Sequence, residues 1–357
     1  MINSNTFVPI AFVFHPDWWH KNHGITFEED FFFDPDTRVK ADLKMRRVLD
    51  DYLEEFGSEQ EEQIDPRPCV GGVHIAAGYI ISEIFGCNVK YSKGRAPQVH
   101  PKKISDQEAD NITPIELDEN PVFNRLDRMI RELEERFGYV VGDINWGGVL
   151  NVALDIRGSE LLLDLNKNPA RANRIFDAVT TTIVDFLSYM KKNTGTTSIS
   201  VNRAVKFVKP ELNLHSNCSV TMISPDTYED MLLEYDERLS RNFQPYGIHH
   251  DGSDLDKHAD NYAKVSDVSF YDVGWGSDIA VCRKKLPDAF FNLRYDPKKM
   301  GQAEPGEVKE DVTRMLEESG DPKKTGFCCI NMMNGDAPKR NLAGAVEAVR
   351  DYRNRYN

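Results

Sequence analysis

The sequence predicts an α/β fold in which a (β/α)8 barrel of the TIM type follows an N-terminal extension. From about residue 120 onward, apolar runs of about 4–6 residues alternate with helical patterns of about 10–20 residues, which is typical of parallel βαβ units. Roughly six such units follow one another, and polar side chains stand directly after the apolar runs. The same pattern leaves a doubly wound sheet open as the alternative.

Residues 1–65 differ from the rest and are assigned to the extension, which we expect to pack on a barrel formed by residues 66–357. They are rich in aromatic side chains and contain a helical pattern at 37–56, whose apolar positions recur with a period near 3.6 residues. Pro66 and Pro68 interrupt regular structure where we place the boundary.

The elements of the barrel are assigned from apolar periodicity and from the signals that start helices. Pro225, for example, suits the first turn of a helix. The predicted helices are 122–137, 159–164, 169–192, 226–243, 255–263, 279–285, 306–319 and 341–356, and the predicted strands lie near 139–142, 198–201, 246–250, 268–273, 290–293 and 326–330.

Composition excludes several classes of protein. The chain has 357 residues and a net charge of −14, which argues against a general nucleic-acid binder because phosphate contacts need a basic face. No apolar run is long enough for a transmembrane helix, and the N-terminus lacks the basic region of a signal peptide. Six cysteines without regular spacing indicate free thiols in a reducing compartment. We therefore expect a cytoplasmic enzyme for a small-molecule substrate, monomeric or homodimeric, without nucleic-acid or membrane partners.

Polar side chains follow six of the predicted strands, at the point where each strand ends. In a barrel these positions meet at one mouth, where active sites lie. The strand ends carry Asp143, Asn145 and Trp146, then His215 and Cys218, then His249, His250 and Asp251, then Asp272 and Trp275, then Asn292, Arg294 and Asp296, and finally Cys328 and Cys329.

His249 and Asp251 form the strongest candidate metal site. Residues two apart on a strand share a face, and imidazole and carboxylate groups are zinc ligands. No Lys or Arg lies within about six residues before the pair, so we expect no neighbouring cation to compete. Cys329 or His215 would supply a third ligand and leave one position open. A hydrogen-bonded structural pair is the alternative.

Each of the other candidate residues could have either a functional or a purely structural role. Arg294 suits a bidentate contact to a substrate carboxylate, or else an ion pair with Asp296 or another acid at the mouth. Cys218 is a further possible thiolate ligand, although free cysteines are commonly buried in cores. The histidines of the extension could form a second metal cluster or pack among its aromatic side chains; they are His15, His20 and His23.

Several short motifs resemble those of one known family. They are Gly142–Asp143 with Gly158–Leu165, Met222–Leu233, Ile248–Gly252, Phe291–Pro297, and the C-terminal Ala337-Pro338 and Asn341-Leu342. In their order and spacing these pieces resemble the uroporphyrinogen decarboxylase superfamily over roughly residues 120–357. The resemblance implies a (β/α)8 barrel with its site at the C-terminal mouth.

The sequence resembles the methyltransferase branch of that superfamily more than authentic decarboxylases, because it lacks their arginine-rich N-terminal segment. In that branch a His-x-Cys segment and a late Cys bind zinc, and a methyl group moves between a protein-bound corrinoid and a thiol or pterin. Here Asp251 stands at the first Cys position, and the late Cys position falls near Asn331, two residues from Cys329. The resemblance therefore implies zinc on His249, Asp251 and Cys329.

Together with the strand-end residues, the resemblance implies a zinc-dependent methyltransferase that works with a corrinoid carried by a partner protein. We expect Asp272, His215 or Asp143 to accept or donate a proton during catalysis. We expect the substrate to be held by Arg294, Asn292, Trp275 and Trp146. One alternative is a decarboxylase or lyase for a smaller carboxylated substrate, in which the carboxyl group of Asp143 or Asp272 stabilises cationic charge or donates a proton. The other is a barrel that binds a ligand or a corrinoid protein without catalysis.

Overall fold

The computed structural model describes residues 8–53, 65–71, 78–142, 144–199, 205, 208, 212–332 and 339–356. The strands are β1 Ile10–Phe14, β2 Asn88–Ser92, β3 Arg95–His100, β4 Asn213–Ser216, β5 Tyr246–His250, β6 Val268–Val273, β7 Phe290–Tyr295 and β8 Thr325–Met332.

Six of these strands form one parallel sheet in the order β1-β8-β7-β6-β5-β4, curled into a wall of a barrel. Neighbours in space are neighbours in sequence, and the first strand pairs with the last. A doubly wound sheet would instead reverse its strand order at a switch point. The predicted barrel arrangement is therefore confirmed.

Further backbone pairings involve residues outside the named strands. Cys69 forms a parallel bridge with Val141, and the Ile199 N–H donates to the Leu214 carbonyl over 3.0 Å. A few residues after Val141, the chain passes close to the end of β4. A Cβ on Gly148 would lie 1.8 Å from the Ser216 carbonyl oxygen, so only glycine permits this approach.

Helices surround the sheet and connect its strands. They are α1 Pro16–His23, α2 Glu29–Phe33, α3 Pro35–Leu53, α4 Ile80–Ile84, α5 Asp106–Asp110, α6 Pro121–Phe137, α7 Val149–Arg157, α8 Glu160–Lys167, α9 Pro169–Thr194, α10 Pro225–Met231, α11 Leu233–Asn242, α12 Leu255–Tyr262, α13 Ile279–Lys285, α14 Pro297–Gln302, α15 Pro305–Ser319 and α16 Lys339–Tyr356. The single helix predicted at 226–243 is two helices, because Leu232 leaves helical geometry between α10 and α11.

Side-chain caps begin several of the helices that follow the strands. Ser224 accepts from the Thr227 N–H over 3.1 Å at the start of α10, and Asp278 accepts from the Val281 N–H over 2.9 Å at the start of α13. Such caps satisfy amide groups that no helical carbonyl reaches. They fix the points at which these two loops return to regular structure.

The predicted N-terminal extension contributes directly to the sheet. Its apolar run Ile10–Phe14 is β1, which pairs with β8. The Phe14 ring then stacks on Trp18 with centroids 4.0 Å apart, and both side chains are buried. The β2–β3 hairpin, which sequence periodicity did not predict, pairs antiparallel apart from the barrel sheet. Among the described residues, no helix has the length and apolar character needed to cross a membrane.

Candidate active site

A row of polar side chains crosses the barrel wall at the carboxyl ends of its strands. Ser216 is in register with His249, His249 with Asp272, and Asp272 with Asn292. Side chains in register on neighbouring parallel strands point to the same face of the sheet. The strand register therefore gathers residues from β4 to β7 into one site.

His249 is held by a buried carboxylate. Its Nδ1 lies 2.6 Å from Asp272 Oδ2, and the Asn292 amide donates to Asp272 Oδ1 over 2.8 Å. Asp272 and Asn292 are fully buried, so these contacts are shielded from water. A carboxylate on one ring nitrogen fixes the orientation of the ring and leaves the other nitrogen, Nε2, to bind a ligand.

Cys218 and Asp251 converge on the same histidine. One ligand atom from each of Cys218, His249 and Asp251 lies within 4.8 Å of the other two. No other trio of His, Cys, Asp or Glu converges in this way within the part of the chain that the structure describes. His249 is buried, whereas Cys218 and Asp251 are partly exposed. The arrangement offers sulfur, nitrogen and oxygen donors at the mouth of the barrel.

The charges around His249 favour its protonated form in the absence of a metal. Burial alone would lower the pKa of His249, but the Cys218 sulfur and the Asp272 carboxylate overcome that effect and raise it to about 10. A ring that binds a metal must give up the proton on its ligating nitrogen, so metal and proton compete for His249.

Arg294 forms a direct ion pair with Asp251. Its Nη1 contacts Asp251 Oδ1, its Nε has no hydrogen-bond partner among the described residues, and the guanidinium lies 5.4 Å from the Trp275 ring centroid. Burial would raise the pKa of Asp251, but Arg294 and then His249 hold it below its usual range. The expectation that no cation competes near His249 and Asp251 is therefore wrong, because β7 brings Arg294 to them in space.

A cavity of about 320 Å³ opens over this cluster. Asp155, which projects from α7, is a further charged residue in its wall and was not predicted from the sequence. Asn331 also lines the cavity and has a left-handed φ of 63°. The lining residues are Gly78, Ser82, Asn145, Gly147, Asn151, Leu154, Asp155, Ile199, Ser216, Cys218, Ser219, His249, Asp251, Arg294 and Asn331.

Cys329 does not join the cluster. Asn292 donates to the Cys328 sulfur over 3.0 Å, which places Cys328 on the same face as Asp272. The next residue on β8, Cys329, alternates to the opposite face, where it is fully buried. Burial raises the pKa of its thiol well above the usual range, which disfavours the thiolate that a metal needs. Cys218 occupies the place that the sequence assigned to Cys329.

His215 and Trp146 lie behind the sheet rather than in the cavity. The His215 ring packs against Trp146, with centroids 5.0 Å apart, and against Tyr246 at 4.5 Å. Neither of its ring nitrogens has a partner among the described residues, and burial lowers its pKa to about 3. The Trp146 indole donates to the Thr197 carbonyl over 3.1 Å. Both residues serve the core, in contrast to the roles predicted for them.

The remaining predicted residues take different places. Asn292 lies beneath the cavity and supports Asp272, while Trp275 is exposed at the mouth beside Arg294. Asp143 lies outside the described residues.

The three histidines of the extension do not converge on a metal site. His15 caps α1, His20 Nδ1 lies 3.2 Å from the Ile25 carbonyl, and His23 packs on Trp18.

The chain belongs to the uroporphyrinogen decarboxylase family, whose model matches residues 76–352. No curated protein matches the sequence. Among solved structures, a methyltransferase from Methanosarcina mazei superposes with a TM-score of 0.69 at 14% identity, covering 97% of this chain and 94% of that one. A B12-independent methionine synthase from Shewanella sp. W3-18-1, in complex with selenomethionine, gives a TM-score of 0.53 at 9% identity, covering 98% and 99%. These likenesses confirm the fold.

Proposed function

We propose that this protein is a zinc-dependent methyltransferase that moves a methyl group between a protein-bound corrinoid and a thiol or pterin acceptor. The observation that carries the proposal is the convergence of Cys218, His249 and Asp251 on one cavity at the carboxyl ends of the strands. Membership of the family and the fold shared with methyltransferases support it.

The donor set fits a catalytic zinc ion. Catalytic zinc sites use three protein ligands and keep a fourth position for substrate, and thiolate, imidazole and carboxylate groups all serve as ligands. The Asp272 contact on His249 is the supporting carboxylate that such histidines usually have. When bound, zinc would act as a Lewis acid that keeps an acceptor thiol deprotonated at neutral pH.

The surrounding residues prepare the site for this chemistry. Asp272 accepts the Nδ1 proton of His249 and so directs the lone pair of Nε2 toward the cavity. Asp272 is thus a positioning residue in this proposal and not the base that the sequence suggested. If Asp251 turns from Arg294 to a metal, the guanidinium loses its direct ion-pair partner inside a buried site. Arg294 would then attract an anionic group of the substrate.

The charge of the cavity argues against uroporphyrinogen as the substrate. That molecule carries many carboxylates, and each needs convergent cationic donors. Among the described residues that line the cavity, Arg294 and His249 are the side chains that can carry a positive charge, and each already contacts a carboxylate. The cavity therefore suits a ligand with few negative charges.

A methyl-transfer assay tests the proposal. Zinc-loaded protein would be mixed with methylcobalamin and a thiol acceptor, either 2-mercaptoethanesulfonate or homocysteine. We expect formation of the methyl thioether, measured by mass spectrometry, together with loss of the methylcobalamin absorption band. The His249→Ala variant should lose this activity. Turnover by wild-type protein that is unchanged after removal of zinc, or unchanged in His249→Ala, would contradict the proposal.

A further inference from the structure

We propose that Asp155 and Ser82 form a subsite for a cationic amino group, so that the preferred acceptor is an aminothiol. This inference rests on the proposed function, because it concerns the part of the acceptor that does not contact the metal. Asp155 lines the same cavity but is not one of the candidate metal ligands, and its chemistry indicates the class of substrate.

Asp155 reaches the cavity from a different direction than the metal cluster. It lies near the end of α7, whereas Cys218, His249 and Asp251 follow β4 and β5. Both groups line the same cavity. A ligand that fills this space would therefore contact the candidate metal ligands at one end and Asp155 at another.

Among the described residues, the Asp155 carboxylate has a hydrogen-bond donor but no ion-pair partner. The hydroxyl of buried Ser82 donates to its Oδ2 over 2.6 Å. No Lys, Arg or His of the described residues forms an ion pair with it, whereas Asp251 in the same cavity is paired with Arg294. Burial raises the pKa of Asp155, and the Ser82 hydrogen bond opposes that shift. A partly buried carboxylate of this kind gains most from a ligand that brings a positive charge.

A purely structural role is the competing explanation. The Ser82 hydrogen bond joins α4 to α7 and would stabilise the fold without any ligand. The Asp155→Asn variant separates the two, because an amide oxygen still accepts from Ser82 while the negative charge is removed. A structural role predicts no change in ligand preference in this variant.

The experiment uses three thiols of equal chain length, namely cysteamine, 2-mercaptoethanol and 2-mercaptoethanesulfonate. Their binding to the cobalt-substituted protein is followed by the absorption band of the cobalt–thiolate bond, which needs no turnover. Dissociation constants are measured for wild type, Asp155→Asn and Ser82→Ala. Asp185→Asn, which removes the same charge from an exposed position on α9, is the matched control. Thermal unfolding confirms that each variant is folded.

For each protein we take the ratio of the dissociation constant of 2-mercaptoethanol to that of cysteamine. We expect this ratio to be about tenfold larger in wild type than in Asp155→Asn, which is the size of effect that one charge-assisted contact predicts. Comparing this ratio between variants cancels the different acidities of the thiols. Asp185→Asn should keep the wild-type ratio. If all variants bind the thiols with the same ratio, the amine subsite is wrong and the proposed function stands. If no thiol reaches the metal, the proposed function fails and this inference fails with it.

Discussion

Asp272 Oδ2 lies 2.6 Å from His249 Nδ1, and this contact determines which nitrogen of the ring can bind a metal. We predict that Asp272→Asn weakens zinc binding by about 10- to 100-fold, because the amide holds the ring in the ligating tautomer less firmly. Zinc affinity can be measured by competition with a chromogenic chelator. Asn292→Ala, which removes the hydrogen bond to Asp272 Oδ1 but leaves the contact between Asp272 and His249, should have a smaller effect. Equal affinities in wild type and Asp272→Asn would show that the contact does not prepare a metal site.

The ion pair between Arg294 and Asp251 predicts competition between the arginine and the metal. Replacing Arg294 by Met should tighten zinc binding by up to about tenfold, because Asp251 is then free of its counter-charge. The same variant should bind 2-mercaptoethanesulfonate more weakly, since the cation that attracts the sulfonate is lost. Chelator competition and thiol titration measure the two effects. If zinc affinity fell in this variant, Asp251 and Arg294 would not be competitors.

The buried His215 predicts a loss of stability in acid. Its pKa is lowered to about 3 by burial, below the value near 6.5 expected for the unfolded chain. The contribution of this neutral ring to stability is therefore present above pH 6.5 and declines as the pH falls from 6.5 toward 3. Near pH 4.5 the loss should be about 2–3 kcal/mol in the free energy of unfolding.

The His215→Phe variant tests this assignment, because phenylalanine fits among aromatic rings and does not titrate. Urea unfolding at pH 7 and pH 4.5 should show a smaller loss of stability in the variant than in wild type. Methyl transfer by the variant should persist, since His215 does not line the cavity. Loss of activity in a stably folded variant would return His215 to the catalytic role that its sequence position suggested.

Uroporphyrinogen should not be a substrate. The described part of the cavity wall has one arginine, one histidine and two carboxylates, Asp155 and Asp251. Incubation of purified protein with uroporphyrinogen, followed by chromatography of the oxidised porphyrins, should show no coproporphyrin above a control without enzyme. Steady conversion would contradict the charge argument.

Local sequence patterns predicted many regular elements of the barrel, although β4 and α7 were not predicted. The bounds of β5, β6 and α13 agree with the predicted ranges, because each combines a clear apolar pattern with polar or capped ends. β1 was not predicted as a strand, since its short apolar run precedes an aromatic segment and no repeat marks it as part of the sheet. The β2–β3 hairpin was also not predicted, because its side chains are mostly exposed or partly exposed.

Among the candidate metal ligands, the sequence singled out the pair that is close in sequence, while strand-end position alone predicted that Arg294 would reach the site. The spacing of His249 and Asp251 was sufficient to place them on one face. Cys218 reaches the site because Ser216, two residues before it, is in register with His249 on the next strand. Cys329 faces away from the site because side chains alternate along β8. Asp155 was not predicted, since it projects from a helix and no strand end precedes it directly.

The central claim is that Cys218, His249 and Asp251 hold one zinc ion. The most direct test is the metal content of protein purified without chelator, measured by mass spectrometry for wild type, Cys218→Ser and Cys329→Ser. The account predicts about one zinc per chain in wild type and in Cys329→Ser, and loss of that zinc in Cys218→Ser. Wild-type protein without stoichiometric metal that cannot be reconstituted with zinc or cobalt would contradict the claim, as would zinc lost from Cys329→Ser but retained by Cys218→Ser.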